Sequence, residues 1–195
     1  EGLRRWDKLK IPIPRFAPFA AAGFLAGTAH MLREVPFDPY LPWVFMGEEI
    51  ILSARLWTSG YDMFSPAQAV VGHIYVRGNK PKFWDSIRRV YHRDDLEVLP
   101  LLRIKHELGY PEAARDFIRT PTVLSDLQPH YTMGRVRTLK DYMKYAGIDV
   151  YRKESFITHY CEEHLMPPGK EQFAKLYRDA ENEASKNATL VEAGK

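Results

Sequence analysis

The chain has 195 residues, 45% of them hydrophobic and 13% aromatic, enough to bury the core of one domain or one and a half. Its 28 basic and 25 acidic residues leave a net charge of +3, too weak a field to favour nucleic acid or an anionic membrane. The single cysteine, Cys161, excludes an internal disulfide framework and fits a reducing compartment such as the cytosol, and no apolar run approaches the ~20 residues that cross a bilayer.

From the amino end, the chain begins basic and becomes proline-punctuated ("KIPIPRFAPF"), a composition that favours extended backbone. Small residues in "AAAGFLAG" permit close backbone approach, a short helix is expected around 28–33, and "PFDPYLP" reads as a loop. "GEEIILSARLWTSG", residues 47–60, reads as a helix with Glu48 and Glu49 in its first turn, where acids favour the positive end of the macrodipole, and with Gly60 past its end. Ile50, Ala54 and Trp57 would face a core, with Glu48, Leu52 and Arg55 on another face. "YDMFSP" and "AVVGHIYVR" read as strands, the second with His73, Tyr75 and Arg77 on one side.

Beyond "GNKPKFW" the pattern turns helical, over 84–92, 98–108, 111–118, 137–146 and 170–186, with Gly147 capping one helix. The expected division is residues 1–84, then a helical region over 85–186, then a flexible tail over 187–195. The start at Glu1 in place of Met, and a first part of about 80 residues that is short for an α/β domain, predict the rear portion of a longer protein.

Several constellations carry chemistry, and each has a plain structural reading beside it. Glu48 and Glu49 either cap a helix or face a substrate; Arg55 follows Glu48 by seven residues, ~10 Å along an ideal helix and too far for a direct local pair. His73 is either a core histidine or a metal ligand. "HYCEEH" offers His159, Cys161 and His164 as zinc donors, but in a spacing that matches no standard finger. Asp94 and Asp95 fit a solvated helix start better than a cation site.

The run from about Phe19 to Trp84 resembles the cytoplasmic protein-hydroxyproline N-acetylglucosaminyltransferases and their relatives. The likeness is carried by Gly23, "REVPFDP" at 33–39, "GEEI" at 47–50, "RLWTSGYD" at 55–62 and "HIYVR" at 73–77. "GRVRTLKDYMKYAGID" at 134–149 is similar to the same family's C-terminal region. More distantly, the order Glu48, Arg55 and, eighteen residues on, His73 resembles an element of the polypeptide N-acetylgalactosaminyltransferases, with Trp57 and Gly60 matching as well.

This resemblance implies an α/β fold: the C-terminal portion of a GT-A, Rossmann-like glycosyltransferase domain followed by a mainly helical region. It implies a retaining enzyme moving a sugar, GlcNAc by family likeness, from a UDP-sugar donor to a hydroxyl acceptor on protein or glycan. It assigns Glu48 and Glu49 to catalysis, with the role of Glu49 the less defined because an asparagine stands there in the second family. Ala22, Gly23, Gly47, Arg55, Trp57, Tyr75 and Arg77 are assigned to the substrate, and His73 to a divalent metal, Mn2+ or Mg2+. The pattern departs from the family in that no Asp-x-Asp occurs upstream of residue 47. The chain by itself is therefore expected to be inactive or weak, and a sugar- or nucleotide-binding module without catalysis is the rival reading.

Overall fold

A computed structural model of the chain describes residues 11–72, 78, 82–83, 85, 93–113, 129–156 and 166–193. Its elements in chain order are β1 (Arg15–Phe16), α1 (Ala29–Glu34), α2 (Glu48–Thr58), β2 (Phe64–Ser65), α3 (Arg93–Glu107), a 3-10 turn (Pro129–Tyr131), α4 (Leu139–Ala146), β3 (Ile148–Asp149), β4 (Glu154–Ser155) and α5 (Phe173–Ala193). The result is a mixed helical protein with two small antiparallel sheets, β1–β2 and β3–β4. No helix among the described residues is long and apolar enough to cross a membrane.

Helix α2 is the organising element. Both of its glutamates lie in the first turn, and its end is closed by Ser59, whose N–H donates to the Arg55 carbonyl. Ile51, Ala54 and Trp57 form the core stripe, with Ile50 at its edge, and they meet Ile104 of α3 and Tyr142, Met143, Tyr145 and Ala146 of α4. Trp57 lies between Tyr142 and Tyr145, with ring centroids 5.9 and 6.0 Å away. The core thus draws on residues from both sides of position 84. The stripe differs from the expected one because α2 is covered on more than one side: Ser53, Arg55 and Thr58 are buried as well.

Helix α4 shows why its sequence folds as it does. The Thr138 hydroxyl accepts from the Asp141 N–H at the amino end, and Gly147 closes the other end in the left-handed region. Tyr142 crosses the core and donates its hydroxyl to the Pro18 carbonyl at 3.0 Å, anchoring the amino-terminal segment. That segment is held a second time by Phe16, which packs on Phe64 at a tilt and edge-on against Phe173 and Tyr177 of α5.

Two expectations differ from what is found. Residues 69–72, the opening of the second expected strand, form no ladder, and Val70 and Val71 are half exposed. Helix α5 continues to Ala193, through the segment that reads as a frayed tail. Residues 73–77, nearly all of 84–92, 114–118 and the "HYCEEH" motif lie outside the described residues.

Candidate functional site

The amino end of α2 meets the loop at residues 20–24. Gly47 stands before the helix at φ 103°, a left-handed conformation that favours glycine, and a Cβ there would come within 3.2 Å of Ile104 Cδ1. The backbone therefore turns sharply into Glu48 and Glu49, and the two carboxylates part. Glu49 Oε1 accepts the Ala22 N–H at 2.6 Å. One turn on, Ser53 Oγ accepts the Ala20 N–H at 2.8 Å and donates to the Glu49 carbonyl. Glu49 and Ser53 thus form a two-point clasp on the loop.

Glu48 is in a different state. It is half buried, and its Oε2 is buried without a hydrogen-bond partner among the described residues. Burial raises its carboxyl above the ordinary value, its own backbone amide opposes the shift, and the adjacent Glu49 charge adds to it. A desolvated oxygen of this kind is costly unless something bound there donates to it. Across the loop, Gly23 has no protein atom within 4 Å of where a Cβ would stand, and its φ is not positive. Neither packing nor backbone geometry calls for glycine at that position.

Arg55 and Trp57 belong to the interior. Arg55 is 2% exposed and donates to three backbone carbonyls: Pro36 at 2.8 Å, His130 at 2.6 Å and Thr132 at 3.4 Å. Burial pushes its guanidinium down from the ordinary value, with Asp38 and Glu107 pulling the other way. Beside it, Arg103 Nε pairs with Asp38 Oδ2 at 2.8 Å, both side chains almost fully buried, and the Arg103 head lies over Tyr40. Arg55, Asp38, Arg103 and Glu107 make a buried, formally neutral quartet that locks α2 and α3 to the loops at 36–40 and 129–134. The spacing of Glu48 and Arg55 is therefore met by protein: Arg55 ties down the helix that presents Glu48. Trp57 is 1% exposed and packed in the core, with the Arg137 guanidinium 4.8 Å above its ring.

A second knot fixes the far end of α2. Thr58 Oγ1 accepts the Gly134 N–H at 2.8 Å, and the Thr58 carbonyl accepts from Val136 and Arg137. A Cβ on Gly134 would stand 2.4 Å from Ser59 N. Sequence reading missed Ser53, Asp38, Arg103, Glu107 and Thr58, whose roles depend on partners distant in the chain. The signal nearest to hand was Asp38 within "REVPFDP".

The loop that Glu49 holds also lines a cleft of about 550 Å3, through Ala20, Ala21 and Phe24, with Tyr61 and Asp62 opposite. Glu48 and Glu49 are not among the cleft's lining residues. The expected site residues Gly47, Glu48, Glu49, Ala22 and Gly23 thus gather at one helix end, whereas Arg55 and Trp57 act from within. His73, Tyr75 and Arg77 lie outside the described residues. Among the described residues no group of three or more His, Cys, Asp or Glu side chains is disposed to hold a metal ion, so these residues alone do not make a cation site.

A family model described as Glycosyltransferase (GlcNAc) matches residues 2–152, a span that includes every residue of the helix-end site and of the buried quartet. No curated protein and no solved structure matches the chain.

Proposed function

Because the chain belongs to the GlcNAc glycosyltransferase family, matched over residues 2–152, we propose that it contributes to a GT-A type domain that transfers N-acetylglucosamine from UDP-GlcNAc to a hydroxyl of a protein or glycan, with retention. The observation that carries the reading is the half-buried Glu48 carboxylate, whose Oε2 has no hydrogen-bond partner among the described residues while Glu49 beside it is engaged. In this reading Glu48 accepts hydrogen bonds from donor-sugar hydroxyls and stabilises positive character as the anomeric carbon loses its leaving group. Glu49 fixes the loop through Ala22, and Gly23 leaves room for the donor at the loop's surface. Gly47 aims the helix end, and Arg55 and Trp57 hold it in place.

Tyr75 and Arg77 are assigned to the diphosphate. His73 is this chain's ligand to a divalent cation, Mn2+ or Mg2+, which when bound offsets the charge of the departing nucleotide diphosphate. The reading places the protein in a reducing, cytoplasmic setting, in keeping with its one cysteine.

The test compares Glu48→Gln, Glu49→Gln and His73→Ala in the whole protein, by UDP-GlcNAc turnover with Mn2+ and by donor binding. Glu48→Gln loses about a hundredfold in kcat with KM little changed, as expected when charge stabilisation at the reacting centre is removed. Glu49→Gln stays within a few-fold, since a glutamine oxygen still accepts the Ala22 N–H. His73→Ala loses the metal-dependent part of donor binding. Full turnover in Glu48→Gln overturns the assignment of the reacting carboxylate.

A further inference from the structure

Three hollows follow one another along the surface. The 550 Å3 cleft beside the Glu49-held loop shares Phe19 with a shallower one of about 360 Å3, which in turn shares Leu108 and Ile148 with a groove of about 840 Å3. That groove runs beside α4 and the β3–β4 hairpin. Its apolar lining includes Leu139, Met143, Val150 and Phe156, the last 42% exposed. Along one side stand Lys140 and Lys144, both exposed and without an ion pair among the described residues.

Asp149 and Asp141 are engaged locally, and Glu154 stands at the adjoining hollow. Asp149 Oδ1 accepts from the Tyr151 and Arg152 N–H groups at 2.9 Å each, and its Oδ2 faces Arg152. Asp141 is turned back to the Thr138 cap. Lys153, at the adjoining hollow, is paired with Glu112. The groove thus joins an apolar floor to two exposed lysines that form no ion pair among the described residues, while Asp149 in the lining is held by Arg152 and backbone amides.

We propose that this groove binds an extended acidic polypeptide segment with acidic and apolar residues in alternation. Lys140 and Lys144 are one helical turn apart, ~6 Å along the axis. Alternate residues of an extended strand repeat every ~7 Å on one face, so a Glu-x-Glu pair meets both lysines while the intervening side chains turn to the apolar floor. Because neighbouring hollows share lining residues up to the cleft that includes Ala20 and Ala21 of the Glu49-held loop, the bound segment is assigned to the acceptor side of the transfer reaction. In that respect the assignment rests on the reading above, but the groove's occupancy does not depend on turnover.

The probe is a short labelled peptide alternating glutamate and leucine, followed by fluorescence anisotropy with the full chain, beside a lysine–leucine peptide of equal length. The glutamate peptide is expected to bind at least tenfold tighter than the lysine peptide, with affinity that falls as salt rises. Lys140→Gln/Lys144→Gln weakens it about fivefold, the effect of two exposed ion pairs, and leaves thermal unfolding unchanged because both side chains are exposed. Leu139→Ala, in the lining, lowers the affinity of the glutamate peptide without altering its salt dependence. Equal binding of the two peptides, no effect of the lysine double variant, or binding of anionic phospholipid vesicles in place of peptide each overturns the proposal. Peptide binding that survives in Glu48→Gln separates the groove from the chemistry.

Discussion

Replacing Arg55 by methionine tests whether this residue meets a substrate or holds the scaffold. The side chain donates to the carbonyls of Pro36, His130 and Thr132 from a position 2% exposed. Methionine preserves most of the volume but leaves those carbonyls without these donors and gives the Asp38, Arg103 and Glu107 remainder a formal charge of −1. Breaking a buried charge arrangement by removing one member costs about 3–5 kcal/mol. For a chain of this length that is a fall in Tm of about 10 °C, and a fall of about 2 M in the urea midpoint at a slope near 2 kcal/mol/M. Lysine, with one compact head in place of a planar fork, recovers only part of the loss. The assay is urea unfolding followed by far-UV circular dichroism, with UDP-GlcNAc binding measured on the same samples. A methionine variant with wild-type stability and abolished donor binding would refute the structural role and return Arg55 to the substrate.

Gly134→Ala is expected to destabilise by ~2–4 kcal/mol, because the new methyl meets Ser59 N at 2.4 Å and disturbs the bonds converging on Thr58. Ser59→Gly removes only the Oγ contact at 2.5 Å and does not rescue it, since Ser59 N at 2.4 Å and Thr58 C at 2.5 Å remain, and differential scanning fluorimetry of both variants checks this. Glu107, mostly desolvated, has its pKa raised from 4.5 by burial, against the opposing pull of Arg103. The folded state therefore holds this proton more tightly than the unfolded state, so the contribution is fullest below the unfolded pKa and is lost as pH rises through the raised folded value. Glu107→Gln removes that slope, so the gap between variant and wild-type stability shifts in favour of the variant as pH rises above 4.5; parallel curves would contradict it. Ser53→Ala leaves the buried Ala20 N–H without its acceptor, at a cost of ~1–3 kcal/mol, and hydrogen exchange at Ala20 and Ala22 should quicken.

Much of the scaffold was legible in local chemistry. The helix over 48–58 follows from two acids at its start, an apolar stripe and a glycine beyond its end, and α4 follows from Thr138, Asp141 and Gly147. On α2 the expected Ala54 and Trp57 are core residues and Ile50 packs at the edge, but the buried surface is wider than the apolar stripe, because Ile51 and the polar residues Ser53, Arg55 and Thr58 are covered by other segments as well. The strand expected to open at residue 69 forms no ladder over 69–72, where no partner strand lies alongside among the described residues, and β-branched residues alone do not make a strand.

The sequence by itself determined that Glu48 and Glu49 begin a helix, and resemblance to a family made them candidates for contact with a sugar donor. The resemblance already favoured Glu48 over Glu49, but adjacent carboxylates in one turn have the same local chemistry, so no physical difference between them is visible in the sequence. The tertiary structure supplies that difference: Gly47 turns the helix end so that the amide of Ala22, 27 residues away in the chain, reaches Glu49, while Glu48 is left half desolvated with an oxygen that has no hydrogen-bond partner among the described residues. The same distinction governs Arg55. Its charge and spacing are visible in the sequence, but hydrogen bonds across 75 and 77 residues decide that it holds loops together, and only folding can bring such partners together.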